Sequence, residues 1–282
     1  MSETYRYTVN GTEFELAEEI DVSLISKYGE IIQVFDKNDS GNISFVIEKD
    51  KKYFLKVAGF QTCNSQIERS DVINNLRRAG DVYKAIEHPD IVSPIEYWED
   101  DGLAFMLFPY VEGECLFDHW NFEYYERNSI IPPLQKFLSL DIDIKMHFAE
   151  ALFEFYKAVN KAGYIATDFY EGSIIYNFGT NRFYFCDLDF FTKCRSINES
   201  GFQWGPDRFL APEEKTKGQL LDERTDVYHI GVFIRIIFTD HETGEWQLSK
   251  EKYDIIGKAT SLDTNKRYSD VEEFEMFWRA AE

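Results

Sequence analysis

The chain has 282 residues, of which 44% are hydrophobic and 17% aromatic, enough apolar mass for one large domain or two lobes and too much for a disordered segment. Its 51 acidic against 30 basic residues give a net charge of −21, which argues against a binder of nucleic-acid backbones or anionic membranes. Cys63, Cys115, Cys186 and Cys194 show no C-x-x-C spacing, no signal-like pattern opens the chain, and no apolar run reaches membrane-spanning length; free thiols in a reducing cytoplasm are the expectation.

In chain order, residues 4–16 alternate polar and apolar around Asn10-Gly11, a two-residue hairpin signal. Ile31–Phe35 reads as a strand, Asp36–Asn42 as a turn, and Ile43–Glu48 with Lys52–Val57 as a second hairpin. Apolar positions at helical spacing (Ile67, Val72, Ile73, Leu76, Val82, Tyr83, Ile86) predict a helix over 65–87, ended by His88-Pro89-Asp90. Two strands, Ile91–Trp98 and Leu103–Phe108, follow, and Tyr110–Glu114 reads as a linker. Beyond it, Leu134–Ala162 reads as one long amphipathic helix stopped by Gly163, Thr192–Pro212 as irregular, Asp226–Phe238 as a buried helix and Val271–Ala281 as a final amphipathic helix.

Between these helices lies the stretch with chemistry in it. Tyr164–Phe191 carries two acidic motifs about twenty residues apart, Asp168 in I-A-T-D-F and Asp187-Leu188-Asp189. Strand-like runs Ser173–Tyr176 and Arg182–Cys186 flank a Gly-Thr-Asn turn, so a hairpin is expected to bring Asp168 and Asp187 to one end. Two carboxylates so placed could hold a substrate hydroxyl and a divalent metal.

The order of these features resembles the protein kinase fold from about residue 31 to 280, and the chain is identified as a divergent, bacterial-type member of the eukaryotic-like serine/threonine protein kinase superfamily. Phe54-Leu55-Lys56-Val57 resembles V-A-I-K, which implies that Lys56 holds nucleotide phosphates, with Phe54 where kinases have Ala. Ser40–Val46 resembles the end of the glycine-rich loop, with Gly41 and Ser44 on its second and third glycine positions and Val46 after them. His88-Pro89-Asp90-Ile91-Val92 resembles H-P-N-I-V, and in that register the glutamate partner of Lys56 falls on Ala79, with Asp81 the nearest acid and Glu68 and Asp71 further candidates. Phe108-Pro109-Tyr110-Val111 resembles the hinge, placing Tyr110 and Val111 against adenine.

Ile165–Ser173 resembles H-R-D-L-K-P-E-N, which implies Asp168 as the catalytic base and Ser173 as a metal ligand in place of Asn. Ala166-Thr167 replaces His-Arg and Tyr170 replaces Lys. Asp187-Leu188-Asp189 resembles D-F-G, with Asp187 the main Mg2+ ligand and Asp189 a second carboxylate where kinases have Gly. Ala211-Pro212-Glu213 resembles A-P-E, Asp226–Gly231 resembles D-V-W-S-L-G, and Arg267 resembles the late arginine that pairs with Glu213; the helix between Asp226 and Arg267 is expected to be short or absent.

The resemblance implies a bilobal α+β fold, with an antiparallel β-sheet N-lobe over 1–111 and a mainly helical C-lobe over 112–282. It also implies ATP and Mg2+ as cofactors and a protein or small-molecule hydroxyl as acceptor. The leading function is an active serine/threonine-type protein kinase. The alternatives are a pseudokinase serving as a binding or regulatory module, and a small-molecule phosphotransferase resembling the aminoglycoside or choline kinases.

Overall fold

The computed structural model describes residues 4–65, 67–118 and 121–282. Met1–Glu3 of the expected first lobe and Gln66 of the expected 65–87 helix lie outside them. The fold is α+β, and the chain divides into two compact units, Met1–Lys84 with Val92–Glu112, and Ala85–Ile91 with Gly113–Glu282.

The first unit is built on antiparallel sheet. Strands β1 (Tyr5–Val9) and β2 (Thr12–Leu16) pair across Asn10-Gly11. Both turn residues have positive φ, 51° and 80°, the backbone that favours Asn-Gly in a two-residue hairpin. The main sheet runs in the order β3-β4-β5-β7-β6, from β3 (Glu30–Phe35), β4 (Ile43–Glu48), β5 (Lys52–Ala58), β6 (Glu96–Asp100) and β7 (Leu103–Pro109). Because side chains alternate across a strand, Phe45, Ile47, Leu55, Val57 and Phe105 share one face and enter a core with Phe14, Leu16, Ile25 and Ile31. Helix α1 (Ser23–Ser26) supplies Ile25, and helix α2 (Arg69–Ala85) follows the sheet's first three strands.

Two expectations in this unit shift. The helix predicted over 65–87 begins at Arg69, because the Ser65 hydroxyl accepts the Ile67 amide and holds a non-helical turn ahead of it. The strand predicted over Ile91–Trp98 is confined to Glu96–Asp100: Pro94 has no amide to give a ladder, and Ile91 makes only an isolated parallel bridge to Phe185.

The second unit is mainly helical. The predicted 134–162 helix is two, α4 (Pro133–Leu138) and α5 (Ile142–Lys161), preceded by α3 (Phe122–Asn128). At the break the Ser139 hydroxyl donates to the Lys136 carbonyl, and the buried Lys145 ammonium donates to the Leu138 carbonyl and to Gln247. Helix α5 ends at Gly163, whose φ of 78° terminates it without Cβ strain. Short strands follow: β8 (Glu114–Cys115), β9 (Tyr164–Ile165), β10 (Ile174–Asn177), β11 (Arg182–Phe185), β12 (Thr192–Lys193), β13 (Ser196–Ile197) and β14 (Leu220–Leu221). Helices α6 (Glu223–Phe238), α7 (Lys250–Ala259) and α8 (Val271–Ala280) complete the unit. Helix α7, ten residues long, occupies the interval in which a short helix or none was expected.

Helix α6 is buried along most of its length and packs on α7 through Gly231. A Cβ there would lie 2.7 Å from Thr260 Cγ2 and 3.1 Å from Ala259 Cβ. Gly257 on α7 has nothing within 4 Å of a built Cβ. The two glycines should respond oppositely in urea unfolding. Gly231→Val should cost about 1–3 kcal/mol by overpacking, whereas Gly257→Ala should gain up to about 1 kcal/mol from helix propensity. Equal shifts at both positions would contradict this packing.

Candidate active site

In the first unit, register brings Ser44, Lys56 and Met106 into one cross-strand row and Val46, Phe54 and Phe108 into the next, on the sheet face opposite the core. Ser44, Val46, Met106 and Phe108 are buried and Lys56 is 8% exposed. Phe54 stands between Phe35 and Phe108, with ring centroids 5.8 and 6.3 Å away. The phenyl ring that stands where kinases have Ala is thus one of three along this face. Ala79 is fully buried, while Asp81, Glu68 and Asp71 are exposed, so none of the three candidate acids shares Ala79's inward position on α2.

Gly41 has φ +84° and is buried: a Cβ would lie 2.6 Å from Val72 Cγ2 and 3.0 Å from Ser65 Oγ. Its turn is tied down by the Glu15 amide donating to Asp36, the Asn64 side chain to the Lys37 carbonyl, and the Asn38 side chain to the Asn42 carbonyl. Close packing on α2 therefore requires this glycine, and the turn is anchored to its own unit. Tyr110 and Val111 follow β7, half-buried, with the Lys52 ammonium 5.4 Å from the Tyr110 ring centroid.

In the second unit the predicted hairpin forms. β10 and β11 pair from Ile174 opposite Phe185 to Asn177 opposite Arg182. At the open end the Cys186 amide donates to the Ser173 carbonyl at 2.9 Å, so Ser173 sits across from the residue preceding Asp187. The outer edge of β10 pairs with β8, making a three-stranded sheet β11-β10-β8. Asp168 and Asp187 have φ of 60° and 61°, left-handed backbone that Asp tolerates better than most residues. Asp168 lies in a turn before the hairpin, and Asp187 directly follows it.

The turn at Asp168 is pinned from below. Asp226, fully buried on α6, accepts the Ala166 amide at 3.0 Å through Oδ1 and the Asn160 side chain at 2.5 Å through Oδ2. Thr167 donates its hydroxyl to the Phe190 carbonyl at 2.5 Å, joining this loop to the stretch after Asp189. Gly205 lies directly beside Asp168: its φ is +122°, and a Cβ would come 3.4 Å from Asp168 Oδ1. Glu171, 3% exposed, pairs with Arg208 at 2.6 Å; burial pushes its carboxyl pKa up and Arg208 opposes that.

A second buried network supports Asp226. His229 Nε2 lies 2.7 Å from Glu214 Oε2, and Nδ1 lies 3.5 Å from Asp226 Oδ1. Burial alone would lower the His229 pKa, but the Glu214 and Asp226 carboxylates outweigh it and raise it from 6.5 to about 10. The imidazolium is thus favoured in the fold. Its contribution to stability is complete below the ordinary histidine pKa and is lost as pH rises through the folded value. Unfolding free energy should therefore fall between about pH 6.5 and 10, and His229→Leu should remove that slope; a slope unchanged in the variant would place its origin elsewhere. Beside this network, Arg267 forks onto Glu213, Nη1 to Oε1 at 2.6 Å and Nη2 to Oε2 at 2.9 Å.

Among the described residues no group of three or more His, Cys, Asp or Glu could hold a metal ion. A magnesium ion carried with a nucleotide needs only one or two carboxylates besides phosphate oxygens. Asp187 and Asp189 supply that number, and Ser173, whose carbonyl accepts the amide of Cys186 next to Asp187, has a buried hydroxyl without a hydrogen-bond partner among the described residues. An orphaned buried hydroxyl is costly, and a bound cation would satisfy it. This donor set fits Mg2+.

Sequence reasoning missed Glu171–Arg208, His229–Glu214, Asn160 and Gly205. Each works through a partner far away in the chain, so no local pattern marks it.

The chain resembles curated proteins that include two calcium-dependent protein kinases. It is 22% identical over 231 residues to calcium-dependent protein kinase 3 of Plasmodium berghei (strain Anka), covering 73% of this chain and 39% of that protein. The calcium-dependent protein kinase 3 of Plasmodium yoelii yoelii is 22% identical over 231 residues, covering 73% and 40%. These matches support a protein kinase-like relationship. The chain spans about two fifths of the length of these relatives. No protein-family profile matches it, and nothing supports the bacterial-type placement. No helix among the described residues is long and apolar enough to cross a membrane.

Proposed function

We propose that the chain is an ATP-dependent phosphotransferase, a divergent serine/threonine-type protein kinase that uses Mg2+ and works in the cytoplasm without nucleic-acid or membrane partners. The observation that carries this reading is the hairpin end, where the Cys186 amide donates to the Ser173 carbonyl and so sets Ser173 opposite the residue before Asp187, while Asp226 pins the turn that carries Asp168. Asp168 orients the acceptor hydroxyl and takes up its proton. Asp187, with Asp189 and Ser173, would hold Mg2+. Lys56, Gly41, Ser44, Val46, Tyr110 and Val111 would bind the nucleotide, residues 1–111 acting as its lobe and 112–282 as the catalytic lobe. When bound, Mg-ATP supplies the phosphoryl group and neutralises charge that develops during transfer. Glu213, Asp226 and Arg267 act structurally, holding the loops that carry these groups.

Thermal unfolding with and without Mg-ATP tests the binding step. At a hundredfold excess over Kd the gain is about 2.7 kcal/mol, and Tm should rise by several degrees. No rise at millimolar Mg-ATP would overturn the proposal. Transfer of labelled phosphate to generic protein acceptors then tests the chemistry; transfer to small amines or alcohols alone would favour the aminoglycoside or choline kinase-like alternative.

Phe54 favours a second reading, a pseudokinase, because its ring stands with Phe35 and Phe108 on the face that carries Lys56. Stabilisation by ATP without any transfer would support it.

A further inference from the structure

Helices α6 and α7 leave a groove of about 520 Å³ lined by Arg208, Tyr228, Val232, Arg235, Ile236, Gly257, Thr260 and Leu262. Its charge runs against that of the chain. In a protein of net charge −21, this lining holds two arginines and no carboxylate. Arg208 is neutralised by Glu171, but Arg235 is exposed and makes no ion pair among the described residues; its Nη2 donates to Thr260 Oγ1 at 2.5 Å. Between the cations the lining is apolar, and Leu262 is 75% exposed at its rim. The groove is also kept open. Gly257 is a helical glycine with no packing partner within 4 Å of a built Cβ, so no neighbour accounts for the missing side chain. The contrast with Gly231, whose missing side chain admits Thr260, makes the vacancy at Gly257 specific to the groove wall.

We propose that this groove binds an acidic peptide segment of a partner protein, with an apolar side chain over Gly257 between Val232, Ile236 and Leu262 and a neighbouring carboxylate on Arg235. A guanidinium already oriented by Thr260 suits the two-oxygen geometry of a carboxylate. Basic peptides, which the overall charge would attract, are disfavoured locally. The inference rests on the groove and not on phosphotransfer, so the two can fail separately.

The test is fluorescence anisotropy with a labelled peptide alternating Glu or Asp with Leu or Phe, against the same peptide with Lys in place of each acid, without nucleotide. The acidic peptide should bind at least tenfold more tightly than the basic one, and the preference should shrink with salt. Arg235→Glu should weaken acidic-peptide binding by at least tenfold, and Gly257→Phe, which fills the groove from an exposed helix face, should block it. Arg235→Lys should retain part of the affinity. An undiminished Tm and unchanged circular dichroism certify that the variants fold; if Gly257→Phe does not, Gly257→Leu serves in its place. Equal binding of the two peptides, no binding of either, or acidic-peptide affinity unchanged by Arg235→Glu would each overturn the proposal. Peptide binding without any phosphotransfer would overturn only the proposed function.

Discussion

Asp168→Asn should lower phosphate transfer by about 10²–10⁴-fold while leaving Tm and nucleotide-induced stabilisation unchanged. The substitution keeps the side chain's size and removes its basicity. It also keeps the backbone: at φ 60° Asn is among the few non-glycine residues that sit comfortably, whereas a β-branched residue would add strain. A loss of transfer accompanied by a drop in Tm would mean that Asp168 holds the loop rather than the acceptor. Transfer that persists at near wild-type rate would remove Asp168 from the chemistry altogether. The parallel variant Gly205→Ala places a methyl 3.4 Å from Asp168 Oδ1 at a backbone angle of +122° that L-residues rarely adopt. It should reduce transfer with the Asp168 carboxylate still present, and so reports whether the carboxylate's position matters.

The largest stability effect is expected at Arg267. Its side chain is fully buried, and it binds Glu213 with two hydrogen bonds, the Ser261 carbonyl through Nε at 2.8 Å and the Arg224 carbonyl at 2.9 Å. The Glu213 carboxylate accepts one further hydrogen bond among the described residues, from the Thr225 hydroxyl at 2.9 Å. Arg267→Met would leave that carboxylate buried with little compensation, at a cost of about 3–5 kcal/mol. Removing both charges together, Glu213→Leu with Arg267→Met, should recover most of the loss, since a buried pair replaced by apolar groups of similar size is often neutral. Urea unfolding of the two single variants and the double variant decides it: a double variant as unstable as the sum of the singles would show that the pair is not a unit.

Much of the fold was legible because it is written in local patterns. Asn10-Gly11 between alternating residues predicts the first hairpin, and the structure places both in positive φ. The Gly-Thr-Asn turn predicts the β10–β11 hairpin, and its register carries Ser173 next to Asp187. Where periodicity failed, a polar side chain intervened locally. Ser139 broke a helix that hydrophobic spacing would continue, and Ser65 delayed another. The site was less legible. Asp168 and Asp187 stand out as acids beside a hairpin, but what fixes the Asp168 loop is remote: Asp226 is sixty residues from the Ala166 amide it accepts. Gly41 carries a second constraint that no sequence pattern shows: besides its resemblance to a phosphate-covering loop, close packing on Val72 and Ser65 requires a glycine there.

The strand pairing at the second unit's start provides a chemical clock. Leu116 donates its amide to the Ile174 carbonyl, Cys115 opposes Ile175, and the Cys115 thiol donates to the Gly172 carbonyl at 3.3 Å. Desolvation pushes that thiol up to about 12, which leaves almost no thiolate at neutral pH. Cys115 is half-buried with its thiol hydrogen-bonded to Gly172, so alkylation should speed up whenever β8 peels away from the hairpin that carries Ser173 and Asp187. Its rate meters how often the proposed metal-binding end loses its outer strand, with no substrate required, and a ligand that seats on Ser173 and Asp187 would slow it.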